Sequence, residues 1–259
     1  MRLLLNNSFQ FKNFDIYKLY ILIVKIVIFS NSSWNLLNFR KSLIEFLLKK
    51  HQVYLVSKKS KYHKKLKEKY KNLYLIDDKS NNFIVSFFIQ FFSFKHTVKN
   101  ISPDIVISFT HKSNLINILV NFIYKYKAIT VITGLGSLFI RRKYFIFNYL
   151  IRFVYKFANL IIFQNKFDKS VFKIKNSVVI PGSGVDLKKF KKRKKFNKNE
   201  INFYLISRII KDKGIYEYFA AAKKLKNKNL NFYFVGDYSD DNPSRLKKNE
   251  FNKLRYKSN

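Results

Sequence analysis

The sequence contains no cysteine, and only three prolines and six glycines among 259 residues. Without cysteine there is no disulfide framework, no cysteine-based zinc site and no thiol nucleophile, so any chemistry falls to oxygen and nitrogen groups. The scarcity of glycine and proline excludes collagenous and low-complexity chains. Acidic residues are also few: 15 Asp and Glu stand against 52 Lys and Arg, a formal net charge of +37. Long apolar runs are missing too. The longest uncharged stretch, residues 80–94, includes Ser, Asn and Gln and falls short of the roughly 20 apolar residues that span a bilayer. Leu3-Leu4-Leu5 gives way at once to Asn6-Asn7, too short an apolar segment for a signal peptide. The expectation is a cytoplasmic protein without a membrane span.

What is present is material for a core. Hydrophobic residues make up 47% of the chain and aromatic residues 18%, enough for one large or two modest folded domains. The positive charge favours polyanions, whether nucleic acid or an anionic lipid surface. Lys, Asn, Ile, Phe and Tyr are abundant together, as A/T-rich codon usage produces, so charge alone does not select a partner.

Short apolar strands alternate with helical periodicity along most of the chain. Strands are expected at 25–30, 52–57, 73–77, 104–109, 128–133, 159–164 and 177–181, separated by helices at 38–50, 61–71, 82–100, 112–127, 142–158 and 166–174. Continuous apolar strands such as Leu160-Ile-Ile-Phe163, joined by helices, predict a parallel sheet covered on both faces: a doubly wound, Rossmann-like α/β fold. Ligands in such sheets bind beyond the carboxyl ends of the strands, here residues 30–35, 109–114 and 133–137. Pro181-Gly-Ser-Gly184 and the basic run 188–198 interrupt the pattern before a new strand, helix and strand at 202–207, 213–226 and 231–235, followed by a polar tail. The expected domains are an extension over 1–24, a first Rossmann-like domain over 25–195, and an incomplete second one over 196–259.

Four segments in order resemble the family-4 glycosyltransferases, retaining enzymes with two Rossmann-like domains. They are Asn31–Arg40 after the first strand, Pro103–Asn114, Val131–Ser137, and Pro181–Phe190 leading to Ser207-Arg-Ile-Ile-Lys-Asp-Lys-Gly214, with Phe234-Val-Gly-Asp237 after the last strand. The resemblance is nearest to bacterial enzymes of surface-polysaccharide assembly that extend a sugar linked to a lipid pyrophosphate. It implies a nucleotide-sugar donor, a glycan or polyprenyl-pyrophosphate-linked acceptor, peripheral membrane association, and neither a bound metal nor another cofactor. In that family the second domain continues and supplies two Glu residues seven apart. Glu200, Glu217 and Glu250 form no such pair, so the chain reads as truncated and its turnover is in question.

Glycosyl transfer must neutralise a departing diphosphate, so fixed cations are the main requirement. Arg208 and Lys213 lie past a strand and before a helix, where free backbone N–H groups add attraction for an anion. The resemblance assigns these two side chains to the donor phosphates; a solvated pair in a basic chain is the competing reading. His111, at the end of a buried strand, is the candidate catalytic residue, since its imidazole is suited to sharing a proton with substrate hydroxyls. Gly134, Gly136 and Ser137 are read as an acceptor-side loop rather than a tight turn, and Ser32, Ser33 and Asn35 as cleft residues against a plain helix entry. His51, His63 and His96 are assigned to the surface, and Asp237–Asp241 to a solvated acidic loop rather than a metal site. Residues 83–94 and 144–157 are either core helices or a surface that docks on anionic lipid. Two other readings remain: a non-catalytic remnant that binds acceptor, and a basic nucleic-acid-binding protein, for which no RNA-module signature is present.

Overall fold

The computed structural model describes residues 23–135, 145–188, 190–191, 201–225, 229–238 and 244–256. It divides into two compact units, Met1–Gly184 and Val185–Asn259. Ile180 N–H still bonds the Phe163 carbonyl, but Gly182 and Gly184 then turn at φ 66° and 76° and leave the sheet.

The first unit runs β1 (Lys25–Ser30), α1 (Ser33–Phe39), α2 (Lys41–Leu47), β2 (Gln52–Lys58), α3 (His63–Lys69), β3 (Leu73–Ile76) and α4 (Phe83–Ile101). It continues with β4 (Ile105–Phe109), α5 (His111–Tyr124), β5 (Lys127–Ile132), α6 (Phe145–Tyr155), β6 (Leu160–Phe163), α7 (Lys166–Phe172) and β7 (Ser177–Val179). All seven strands are parallel, in the order β3-β2-β1-β4-β5-β6-β7. Winding therefore reverses between β1 and β4, the topological switch point where such sheets open a ligand crevice.

The strands are apolar on both faces because both are covered. Val27, Phe29, Val56, Val106 and Ala128 pack against Phe94, Val98 and Ile101 of α4 and Ile116 and Val120 of α5. The alternate residues Ile26, Ile28, Val53, Leu55 and Phe109 pack on the other side against Leu36, Ile44, Leu66 and Tyr70. Phe29 and Phe94 stack with ring centroids 4.1 Å apart and planes within 8°. A third cluster under β5 and β6 joins Ile132, Ile161 and Phe163 to Tyr155 and Phe172.

One local departure from the sequence pattern has a physical cause. The single helix expected over 38–50 is two short ones, broken at Arg40 (φ −113°, ψ 0°), whose side chain turns inward. Arg40 lies three, four and seven positions before Leu43, Ile44 and Leu47, so it shares their inward-facing stripe.

In the second unit β8 (Ile201–Ile206) pairs in parallel with β9 (Leu230–Val235). A 3-10 turn (Lys211–Lys213), α8 (Ile215–Lys224) and α9 (Lys248–Tyr256) complete it. The segment of α9 is read from sequence as part of a polar tail. It folds because Phe251 and Leu254, three residues apart, reach the Ile209, Ile215 and Leu246 core. On the opposite face of this sheet Tyr204, Ile206, Tyr233 and Val235 are exposed.

Candidate functional site

The turn from β4 into α5 holds the most constrained backbone in the first unit. Thr110 has φ 74° and ψ 149°, a conformation that a β-branched residue adopts only under strain. Its hydroxyl is buried and, among the described residues, has no hydrogen-bond partner. The strain places His111 at the first position of α5, facing the end of β5.

A one-directional chain of hydrogen bonds then fixes His111. Asn117 Nδ2 donates to Ser108 Oγ (2.9 Å), Ser108 Oγ to Asn114 Oδ1 (2.8 Å), and Asn114 Nδ2 to Tyr155 Oη (3.1 Å). Tyr155 Oη lies 3.0 Å from His111 Nδ1, and His111 Nε2 lies 3.0 Å from the Gly134 carbonyl. A carbonyl only accepts, so Nε2 carries the proton, and Nδ1 accepts from the tyrosine hydroxyl. Burial drives the Tyr155 phenol well above its usual range despite the Asn114 bond, which keeps it protonated as that donor. The His111 ring also lies parallel to Phe172 at 6.4 Å.

Burial lowers the His111 pKa; hydrogen bonds to the Gly134 and Leu135 backbone and the Asp168 carboxylate oppose the shift without cancelling it. The folded protein therefore binds fewer protons here than the unfolded chain does just below pH 6.5. Stability from this group is complete above about pH 6.5 and declines as the pH drops toward the folded value. Melting temperatures recorded from pH 7.5 to 5.5 are expected to fall, and His111→Gln to flatten that part of the slope.

The expected cleft residues divide by what they touch. Ser33 Oγ is buried and bonds Ser57 Oγ (2.9 Å) and the Lys58 carbonyl (2.9 Å), so it ties α1 to β2. Ser32 caps α1 through its backbone carbonyl, without a side-chain cap bond. Asn35 Oδ1 accepts from Arg40 Nε at 3.2 Å. Gly134, at φ 154°, has open space on the side where a Cβ would project. Gly136 and Ser137 lie outside the described residues. Of the other histidines, His96 is exposed, whereas His51 and His63 are half-buried, and His63 Nδ1 meets the Ser60 carbonyl at 2.6 Å.

Sequence reasoning passed over three elements of this site. Asn114 and Asn117 lie on the buried side of α5, and polar residues in an apolar helical stripe were the available signal. Tyr155 carries no local signal. Asp78 is the third: it is buried after β3 and accepts hydrogen bonds from Ser86 Oγ and from Gln90 Nε2 (2.7 Å), beside Lys58 Nζ at 3.4 Å. Burial opposes its ionisation, but bonds from Ser86, Gln90 and the Ser80 N–H, with Lys58, outweigh that and hold it below the usual carboxylate range.

In the second unit, Ser207 N–H bonds the Val235 carbonyl and Ile209 N–H the Asp237 carbonyl, both at 3.0 Å, so the strand pairing extends through Arg208. Arg208 and Lys213 are exposed, and among the described residues neither forms an ion pair. Lys211, between them, pairs with Glu250 at 3.4 Å. The α8 N-terminus follows Gly214 (φ 70°), but Glu217 already occupies its first turn. The helix dipole is thus partly complemented, and the two side chains carry more of the attraction for an anion than the backbone N–H groups do. Gly236 packs against this turn so closely that a Cβ would overlap the Ser207 carbonyl oxygen. Gly236→Ala is expected to cost about 2–3 kcal/mol, read as a lowered thermal midpoint, because the Ser207 and Ile209 pairings must shift. Among the described residues no three His, Asp or Glu side chains converge on a common point. Ser239–Asp241 of the acidic loop lie outside them.

The doubly wound, parallel α/β architecture is a fold shared with nucleotide-sugar proteins of different chemistries. Anabaena HepE in complex with UDP superposes with a TM-score of 0.64 at 14% identity, over 90% of this chain and 65% of that one. The UDP-N-acetylglucosamine 2-epimerase of Rickettsia bellii gives a TM-score of 0.60 at 14% identity, over 90% of this chain and 67% of that one. No family model matches the sequence. By sequence, the chain is similar to the N,N'-diacetylbacillosaminyl-diphospho-undecaprenol alpha-1,3-N-acetylgalactosaminyltransferase of Campylobacter jejuni, with 28% identity over 253 aligned positions. That alignment covers 85% of this chain, which spans 65% of the relative's length.

Proposed function

We propose that the protein is a family-4 glycosyltransferase that moves a sugar from a nucleotide-sugar donor to a glycan carried on a polyprenyl diphosphate, in bacterial surface-polysaccharide synthesis. The observation that carries this reading is the similarity to the Campylobacter transferase, which covers 85% of the chain. The chemistry agrees with it. As the glycosidic bond to the donor breaks, negative charge gathers on the departing diphosphate, and Arg208 just past β8 and Lys213 in the turn before α8, which form no ion pair among the described residues, supply fixed positive charge. His111 locks the β5 loop at Gly134 to α5 and so shapes the acceptor side. No metal is needed for this charge balance, so EDTA should leave the rate unchanged.

Peripheral membrane binding belongs to the same proposal. Helix α4 buries Phe94 and Val98 against the sheet, but its other face exposes Phe83, Ile84, Phe88 and Phe92. Helix α6 likewise exposes Ile146, Tyr149, Leu150 and Phe153, with Ile146 73% accessible. Both helices are core and surface at once. Among the described residues no helix is long and apolar enough to cross a membrane. Aromatic faces on a chain of +37 suit the interface of an anionic bilayer.

The test is incubation with labelled UDP-N-acetylhexosamines and an undecaprenyl-diphosphate-linked sugar, with chromatography of the lipid fraction. Label moving to the lipid supports the proposal. The fold is equally that of an epimerase, so interconversion of the UDP-sugar without transfer would replace the proposal with that second reading. Donor binding without either reaction would favour a non-catalytic binding protein. Co-sedimentation with phosphatidylglycerol vesicles but not phosphatidylcholine vesicles checks the membrane component.

A further inference from the structure

Arg40 is the most unusual charge in the first unit. It is 5% exposed, and among the described residues no other Lys or Arg is buried. Its guanidinium lies flat on the Phe109 ring, 3.9 Å from the centroid. Nε donates to Asn35 Oδ1 (3.2 Å) and Nη1 to Ser183 Oγ (2.6 Å). Both acceptors are neutral. Among the described residues no Asp or Glu pairs with Arg40, and Nη2 has no protein acceptor. Burial lowers its pKa to about 10, which leaves it charged at neutral pH. A guanidinium withdrawn from water with no counter-ion is costly, and removing a partner from a buried pair is among the most destabilising of changes.

Its position supplies a reason for the cost. Phe109 ends β4 and lies in register with Ser30 at the end of β1, so Arg40 sits where the winding reverses and ligands enter. The hydroxyls of Ser30 and Thr110, at the ends of the same two strands, are buried and have no partner among the described residues. The segment that contributes Ser183 approaches from beyond β7, so residues from β4, α1 and the 181–184 turn hold one cation in a fixed orientation. Asn35 takes the Nε–H and Ser183 an Nη1–H, and Phe109 holds one face. The Nη2 hydrogens remain for a ligand, and charged N–H donors of this kind suit the oxygens of a phosphate.

We propose that Arg40 is an anion-binding residue of the first unit, built to take a diphosphate group at the β1–β4 switch point. Its assignment to a diphosphate, rather than to another anion, rests on the transferase reading, in which both substrates carry one. The donor nucleotide sugar and the lipid-linked acceptor present the same chemistry, and binding measurements separate them.

Calorimetry at 150 mM salt with inorganic pyrophosphate, UDP and farnesyl diphosphate would compare the full chain with Arg40→Met, Arg40→Lys and the surface control Lys49→Met. Arg40→Met keeps the length and the contact with Phe109 but removes the charge; Arg40→Lys keeps the charge and loses the fork. The expected result is pyrophosphate binding weakened roughly 10- to 100-fold in Arg40→Met and by less in Arg40→Lys, with Lys49→Met unchanged. Loss confined to farnesyl diphosphate assigns the site to the acceptor, and loss confined to UDP assigns it to the donor. If Arg40→Met fails to fold, Arg40→Lys decides alone: affinity equal to that of Lys49→Met overturns the proposal. Unchanged affinity in Arg40→Met overturns it directly. A site that binds pyrophosphate through Arg40 in a protein that transfers no sugar would sink the transferase reading and leave the anion site standing. Transfer activity with an inert Arg40 would do the reverse.

Discussion

Arg208→Ala is expected to lower sugar transfer by roughly 100- to 1,000-fold, the usual consequence of deleting one fixed charge aimed at a developing anion. The side chain is exposed and, among the described residues, forms no ion pair, so its removal should leave the thermal midpoint within about 1 °C of wild type. That separation is what makes the variant informative. Lys211→Ala provides the contrast: Lys211 is engaged with Glu250, so it should retain most of the activity. Transfer rates and melting curves measured side by side check both outcomes. A near-normal rate in Arg208→Ala would remove the donor-phosphate role from this turn. Arg208→Lys should recover part of the loss, because the charge returns without the planar fork.

Asn114→Ala should produce the largest loss of stability. The amide is fully buried; it receives Ser108 Oγ–H and donates to the Val131 carbonyl at 3.0 Å and to Tyr155 Oη. Deleting it leaves a hydroxyl, a carbonyl and a phenol short of partners inside the sheet–helix interface. At about 1–3 kcal/mol for each buried group left unsatisfied, a total of roughly 3–5 kcal/mol is expected. For a protein of this size that lowers the midpoint by roughly 10 °C. Asn114→Asp keeps the oxygen that receives Ser108 but buries an acid, so it should be no better than the alanine variant. Differential scanning calorimetry checks the order. Because Asn114 acts on His111 only through Tyr155, the same substitution should also loosen the Gly134 loop, seen as faster proteolysis near residues 133–135.

The fold was legible wherever one period dominated. Ile26 to Phe29 read as a strand from side-chain chemistry alone, and so did Leu160 to Phe163, because a strand buried on both faces has no polar alternation to confuse it. Position 40 was harder. Its place on the Leu43, Ile44, Leu47 stripe was visible, but periodicity gives no reason to expect a cation to turn inward. The break between α1 and α2 follows from that inward turn. Helix α9 was missed because Phe251 and Leu254 are its inward-facing apolar residues in a run of Lys, Asn and Glu, and tertiary contact, not local preference, holds it.

The candidate site was legible by a different route. Arg208, Lys213 and His111 stand out in the sequence as chemically capable residues between a strand and a helix; Arg208 follows β8 by two residues, Lys213 closes the 3-10 turn before α8, and His111 opens α5. What the sequence left hidden was partnership. That both nitrogens of His111 are engaged depends on Tyr155, 44 residues away, and on a carbonyl 23 residues away. Hydroxyls such as those of Ser32 and Ser33 look alike in sequence. One is spent inside the fold and the other is not, a distinction set by the register of α1 against β2.

Position 110 carries a consequence for anyone modifying this protein. A threonine at positive φ is the substitution that a stability-minded engineer would reverse first, since glycine would relax there at no steric expense. Doing so would hand the hinge before α5 more freedom than it now has, and the imidazole that follows would lose the stiff mounting on which its reach toward β5 depends. A sturdier melting curve and a blunter tool are the two faces of that one exchange.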